Sequence, residues 1–72
     1  MAKYWSSPPP QNDDFGQPII DIFIDGKSNI GPWGFFTPES YKIYGMWPDK
    51  FGTGIAQKYQ KQSDGKWLKV AG

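Results

Sequence analysis

Few residues in the chain could do covalent chemistry. With no histidine and no cysteine, acid–base catalysis near neutral pH lacks its commonest agent, and a nucleophilic Ser or Thr would depend on Lys, Asp or Glu as its base. The adjacent Asp13-Asp14, close to Gly16, come nearest to a carboxylate pair for glycosidic chemistry or a divalent cation. In so polar a stretch, solvated side chains are the simpler reading. Phe51-Gly52-Thr53-Gly54 superficially resembles a phosphate loop, but the Lys-Ser/Thr and following helix of the Walker pattern are missing. A backbone nest for one anion and a tight turn before a strand remain, and the turn is the simpler. The expectation is a protein that works by binding, is not an enzyme, and uses no cofactor.

Groups suited to binding are more plentiful. Four Trp, four Tyr and five Phe occur in 72 residues, and Trp and Tyr are the types enriched in binding hot spots. Tyr4, Trp5 and Trp47 are the candidate partner-binding anchors. Tyr4 and Trp5 stand in a Ser/Pro-rich stretch where a purely solvating tail has no need of them, so they either fold back on the body or meet a partner. A second group, Lys58, Tyr59, Lys61, Lys66, Trp67 and Lys69, combines cations with aromatic rings as a single-stranded nucleic-acid surface requires. The chain has no arginine, which counts against bidentate phosphate or base-edge recognition. A solvated strand face, where exposed lysines discourage unwanted pairing, is the simpler reading of those lysines.

The elements that must position these groups are small. At this length one domain is the limit and its core is thin. Disulfides and the usual zinc ligands are excluded by composition, so aromatic packing is expected to supply the core. The net charge of +1 gives no mandate for nucleic acid or an anionic membrane. The apolar stretch Ile19 to Ile24 is too short to span a bilayer and contains Asp21, and the N-terminus lacks the apolar region of a signal peptide. A location in the host-cell cytoplasm or in association with a virion follows as the expectation.

Residues 1–17 read as a Pro-rich N-terminal arm, with Pro8-Pro9-Pro10 favouring an extended conformation without a ladder, and residues 18–72 as one compact β-rich domain. Ile19 to Ile24 reads as a strand turning at Asp25-Gly26 into a partner at about Lys27 to Ile30, with Ile20, Ile22 and Ile24 facing the core. Gly31 to Gly34 reads as a turn. Thr37 as N-cap, Pro38 at the first position and Glu39 in the first turn start a short helix that Gly45 stops. Met46 to Gly54 reads as a loop carrying Trp47 and Phe51 as plugs. Ile55 to Lys61 and Lys66 to Val70 form a second hairpin around Ser63-Asp64-Gly65.

The joint order of Gly16-Gln17-Pro18-Ile19, Phe23-Ile24-Asp25-Gly26-Lys27, Gly31-Pro32-Trp33, Tyr44-Gly45, Gly52-Thr53-Gly54 and Asp64-Gly65-Lys66-Trp67-Leu68-Lys69-Val70 resembles a group of small uncharacterised zinc-ribbon-like proteins from phages and bacteria. Members of that group carry two Cys-x-x-Cys knuckles, which would fall on Asn12 with Phe15 and on Thr37 with Ser40. All four cysteines are replaced here, so no metal is expected. The resemblance implies a metal-free, zinc-ribbon-like mini-domain with two β-hairpins and one short helix, and phage or mobile-element ancestry. A structural zinc contributes about 10–16 kcal/mol of binding free energy coupled to folding, so other interactions must join the knuckles. Phe15 packed on Phe35 or Phe36, with Thr37 kept as helix cap, is the expected substitute.

The functional expectation is a non-enzymatic accessory that docks on an unidentified host or virion protein through exposed aromatics. The alternatives are a weak single-stranded nucleic-acid binder using the C-terminal hairpin and a structural or decoration component of a virion.

Overall fold

The computed structural model describes residues 2–72. Its elements are β1 (Ile22–Lys27), β2 (Trp33–Phe36), α1 (Pro38–Tyr44), β3 (Ala56–Lys61) and β4 (Trp67–Ala71). The strands form one antiparallel sheet in the order β2-β1-β3-β4. This is a β-rich α+β fold made of two hairpins joined through the β1–β3 pair, with a single short helix.

The first hairpin differs from its sequence reading. β1 runs straight through Asp25-Gly26, and the chain reverses over residues 28–32. There the Ser28 N–H donates to the Pro32 carbonyl at 3.0 Å and the Gly31 N–H to the Ser28 carbonyl at 3.1 Å. The reason lies in packing. A Cβ at position 26 would come within 2.7 Å of the Ala56 Cβ and 3.2 Å of the Tyr41 ring, so glycine serves close approach at mid-strand and not a tight turn. Gly31, at φ +114°, takes the conformation that the turn requires.

The expectation of a single inward isoleucine face also fails. Ile20 is 73% exposed, whereas the neighbours Phe23 and Ile24 are both buried. Neighbouring residues of a strand point to opposite faces, so the sheet is covered on both sides. On one face α1 helps bury Ile24, Phe36, Tyr41 and Ala56, with Phe15, Phe51 and Ile55 packed around them. On the other, Phe23, Tyr59 and Trp67 pack with Trp5, Ile19 and Phe35.

That second layer explains the N-terminal stretch. Trp5 and Lys3 hydrogen-bond to β4, through the Trp5 N–H to the Trp67 carbonyl at 2.9 Å and the Lys69 N–H to the Lys3 carbonyl at 2.8 Å. The Trp5 ring meets Phe23, Phe35 and Tyr59 edge-on, with centroids 5.3, 5.6 and 5.3 Å away. Of the two roles open to Trp5, folding back on the body is the one observed. The stretch read as a separate arm therefore supplies Trp5 and, further along, Phe15 to the packing.

α1 starts as its signals require. Thr37 is the N-cap, its Oγ1 accepting the Ser40 N–H at 3.3 Å, and Pro38 opens the first turn. The second hairpin and its turn at residues 63–65 also lie where the sequence places them. No described helix is long and apolar enough to cross a membrane.

Candidate functional site

Asp13 is the most connected polar side chain. Residues 12–18 close on themselves, the Asp13 N–H donating to the Gln17 carbonyl at 2.8 Å. This places the Asp13 carboxylate against the start of α1. Oδ1 accepts the N–H groups of Phe15 and Gln17, both at 2.9 Å, and Oδ2 accepts the Thr37 N–H at 2.8 Å and the Thr37 hydroxyl at 3.0 Å. The Ser40 hydroxyl lies 3.2 Å from that of Thr37. Burial pushes the Asp13 carboxyl up, but hydrogen bonding from the Ser40 side chain and from the N–H groups of Thr37, Gln17 and Phe15 outweighs it, and the pKa falls below its ordinary value.

Asp13 is thus a correction to the reading of Asp13-Asp14 as solvated residues, since it is only 5% exposed. Its carboxylate joins the segment bearing Asn12 and Phe15 to the one bearing Thr37 and Ser40, the four positions at which the sequence resemblance led to the expectation of knuckles. Phe15 stacks on Phe36 at 5.3 Å, as one alternative expected, and also on Tyr44 at 4.2 Å with the rings nearly parallel. With two donors on each oxygen, the Asp13 carboxylate has its acceptor capacity filled. It is a structural hub, unsuited to acid–base work or to ligating a cation.

Large apolar side chains are exposed on the β1–β2 reversal, at the start of β2 and around the end of α1. Ile30, Trp33, Ile43, Tyr44 and Trp47 are all exposed. Hydrogen bonds tie the turn bearing Ile30 to the end of α1 and the segment after it: the Asn29 N–H donates to the Tyr44 carbonyl at 2.7 Å and the Met46 N–H to the Lys27 carbonyl at 2.9 Å. The Tyr41 hydroxyl, 3.1 Å from the Trp47 carbonyl and 3.0 Å from that of Lys50, fixes the next loop. Trp47 therefore has an anchored backbone and a side chain that stays 40% exposed.

Of the anchors expected from sequence, only Trp47 belongs to this set. Tyr4 is exposed but pairs with Leu68 at the opposite edge of the sheet, where the Lys66 ammonium sits 5.7 Å from its ring centroid. Trp5 is engaged in the aromatic layer. Trp33 and Tyr44 were legible as aromatics, but the turn and helix assignments gave no sign that backbone hydrogen bonds would tie their segments together.

The six C-terminal residues do not assemble into a stacking platform. Tyr59 and Trp67 are buried, Lys58 reaches over Phe51 in the other layer at 5.8 Å, and Lys61, Lys66 and Lys69 remain on the hairpin without an exposed ring from that strand pair. Burial raises the Tyr59 hydroxyl pKa, with the Asp25 charge adding to the shift.

Asp25 itself is partly buried, and desolvation raises its pKa. A carboxyl whose folded-state pKa exceeds the unfolded value weakens the fold once ionised, a penalty that disappears as pH falls to the unfolded pKa. Asp25→Asn is accordingly expected to raise the melting temperature by a few degrees at pH 7, with the gain shrinking towards pH 4. Thermal unfolding across that range checks it, and an equal gain at every pH would assign the effect to something other than charge.

No protein-family model, curated protein or solved structure matches the chain. A functional reading therefore stands on the geometry.

Proposed function

We propose that the protein is a non-enzymatic accessory that docks on a partner protein through the surface formed by Ile30, Trp33, Ile43, Tyr44 and Trp47. The observation that carries this is the set of exposed large apolar side chains on the β1–β2 reversal, the start of β2, the end of α1 and the segment after it, which backbone hydrogen bonds tie together. Apolar residues scattered singly over a surface need no explanation, whereas a group held on a rigid frame is characteristic of interaction sites. Trp5 leaves the set of docking residues because its ring is taken up in packing, and Tyr4 stands apart at the far edge. Phage or mobile-element ancestry, proposed on the sequence resemblance, suits such an accessory.

The test is affinity capture from a plausible host lysate, comparing the intact chain with Trp33→Ala and Trp47→Ala. Loss of about 2 kcal/mol at a hot spot corresponds to roughly thirtyfold weaker binding, with the fold intact by circular dichroism. Tyr4→Ala should capture as well as the parent chain. Capture that disappears after nuclease treatment would transfer the function to nucleic acid. Association only with assembled particles would make it a virion component.

A further inference from the structure

The outer edge of β2 carries a feature that the aromatic surface alone does not explain. In the β1–β2 pair Lys27 stands opposite Trp33 and Asp25 opposite Phe35. The Lys27 N–H donates to Ile55 and the Lys27 carbonyl accepts from Met46, both away from β2. The alternation of an antiparallel ladder then turns the N–H and C=O of Trp33 and Phe35 to the outside. At Phe35 the edge is closed: its carbonyl accepts the Asp14 N–H at 3.0 Å and its N–H donates to Asp14 Oδ2 at 3.0 Å. A Cβ at position 34 would fall 2.4 Å from that same oxygen, so Gly34 leaves room for the Asp14 carboxylate. At Trp33 neither backbone group has a partner among the described residues.

Beside this open position lies a cleft of about 190 Å³ whose lining includes Asp14, Phe15, Ser28, Ile30, Pro32 and Trp33. Ser28 is 5% exposed, and its Oγ has no hydrogen-bond partner among the described residues. A buried hydroxyl without a partner is an uncommon and unfavourable feature, and here it belongs to a residue that lines the cleft. Asp14 is the one charged residue in the lining.

We propose that this edge and cleft bind an extended segment of a partner protein bearing a lysine or arginine. The inference rests on the protein-docking function above and specifies its partner. The segment adds a short strand at Trp33, exchanging main-chain hydrogen bonds with the free N–H and C=O, as in other cases of strand addition. Its apolar neighbours lie along Ile30 and Pro32, and the cationic side chain faces Asp14. Asp14 has two tasks: one carboxylate oxygen ends the edge at Phe35, and the charge selects the basic residue.

The experiment uses the full chain labelled with nitrogen-15 and short capped peptides of alternating Thr and Val around a central Lys, Gln or Glu. The expected result is amide shifts concentrated at Ser28, Trp33 and Gly34, with the Lys peptide bound about tenfold more tightly than the Glu peptide. Asp14→Asn, which keeps an oxygen for the Phe35 N–H, should remove that preference while the Thr/Val peptide with Gln still binds. Absence of shifts at millimolar peptide, or equal affinity for Lys and Glu, would overturn the proposal. So would a concentration-dependent dimer whose contacts map to Trp33, because the edge would then belong to a second copy. Shifts confined to Tyr4 and Leu68 would reject this site and leave protein docking standing, whereas nuclease-sensitive capture would reject docking itself.

Discussion

Trp5→Ala is expected to destabilise the protein by about 3 kcal/mol, the low end of the range for truncating a large aromatic in a core. Trp5 makes edge-on contacts with three rings on the sheet face that α1 does not cover. Each such pair adds about 0.5–1.5 kcal/mol beyond the area it buries. Stability of roughly 0.05–0.15 kcal/mol per residue makes that loss a large fraction of the total for so short a chain. Urea unfolding followed by tryptophan fluorescence and by circular dichroism should show a lower midpoint. Removing residues 2–5 should cost at least as much, since it also strips the hydrogen bonds to β4. Tyr4→Ala, at an exposed ring, should change the unfolding free energy by less than about 0.5 kcal/mol. An unchanged midpoint for Trp5→Ala would show that the second aromatic layer stands without it.

The contrast between Tyr4 and Trp5 shows where sequence reasoning reaches its limit. Both are aromatic and both sit in a Pro-rich stretch, but pairing with β4 sends alternate side chains to opposite sides. Only the three-dimensional register decides which one enters the core. Elements governed by local chemistry were legible. Thr37-Pro38 and Gly45 bound the helix, and residues 63–65 form the turn of the second hairpin. Asp25-Gly26 misled for the opposite reason: the dipeptide is a strong hairpin signal in isolation, but Ala56 and Tyr41, distant in sequence, need position 26 to be small. The open edge at Trp33 was not legible for the same reason, because it exists only once β1 has been extended past residue 26.

Asp13→Ala is expected to cost about 3 kcal/mol, the upper end of the range for leaving a buried donor unsatisfied, because several are stranded at once. Three backbone N–H groups and the Thr37 hydroxyl lose their acceptor together. Asp13→Asn should be almost as damaging although it has the same shape. Donors approach both oxygens, so whichever side the amide NH2 takes, it faces N–H groups and cannot accept from them. The pH dependence separates charge from shape. The folded pKa of Asp13 lies below its ordinary value of 3.8, so its stabilisation is complete above the unfolded pKa and declines as pH falls through the folded one. Asp25 opposes this over higher pH, since its protonation strengthens the fold. In an Asp25→Asn background the acid limb should therefore isolate Asp13, and adding Asp13→Asn should flatten it. A limb that persists would place the acid sensitivity elsewhere. The hub also explains how the segments at residues 12–18 and 37–40 are held together. There the carboxylate is joined by the Phe15 stack on Phe36 and Tyr44 and by the Thr37 cap. Phe15→Ala should consequently lower stability without abolishing the Asp13 hydrogen bonds. The polar and aromatic contributions to joining these segments should then be additive where they do not share a partner.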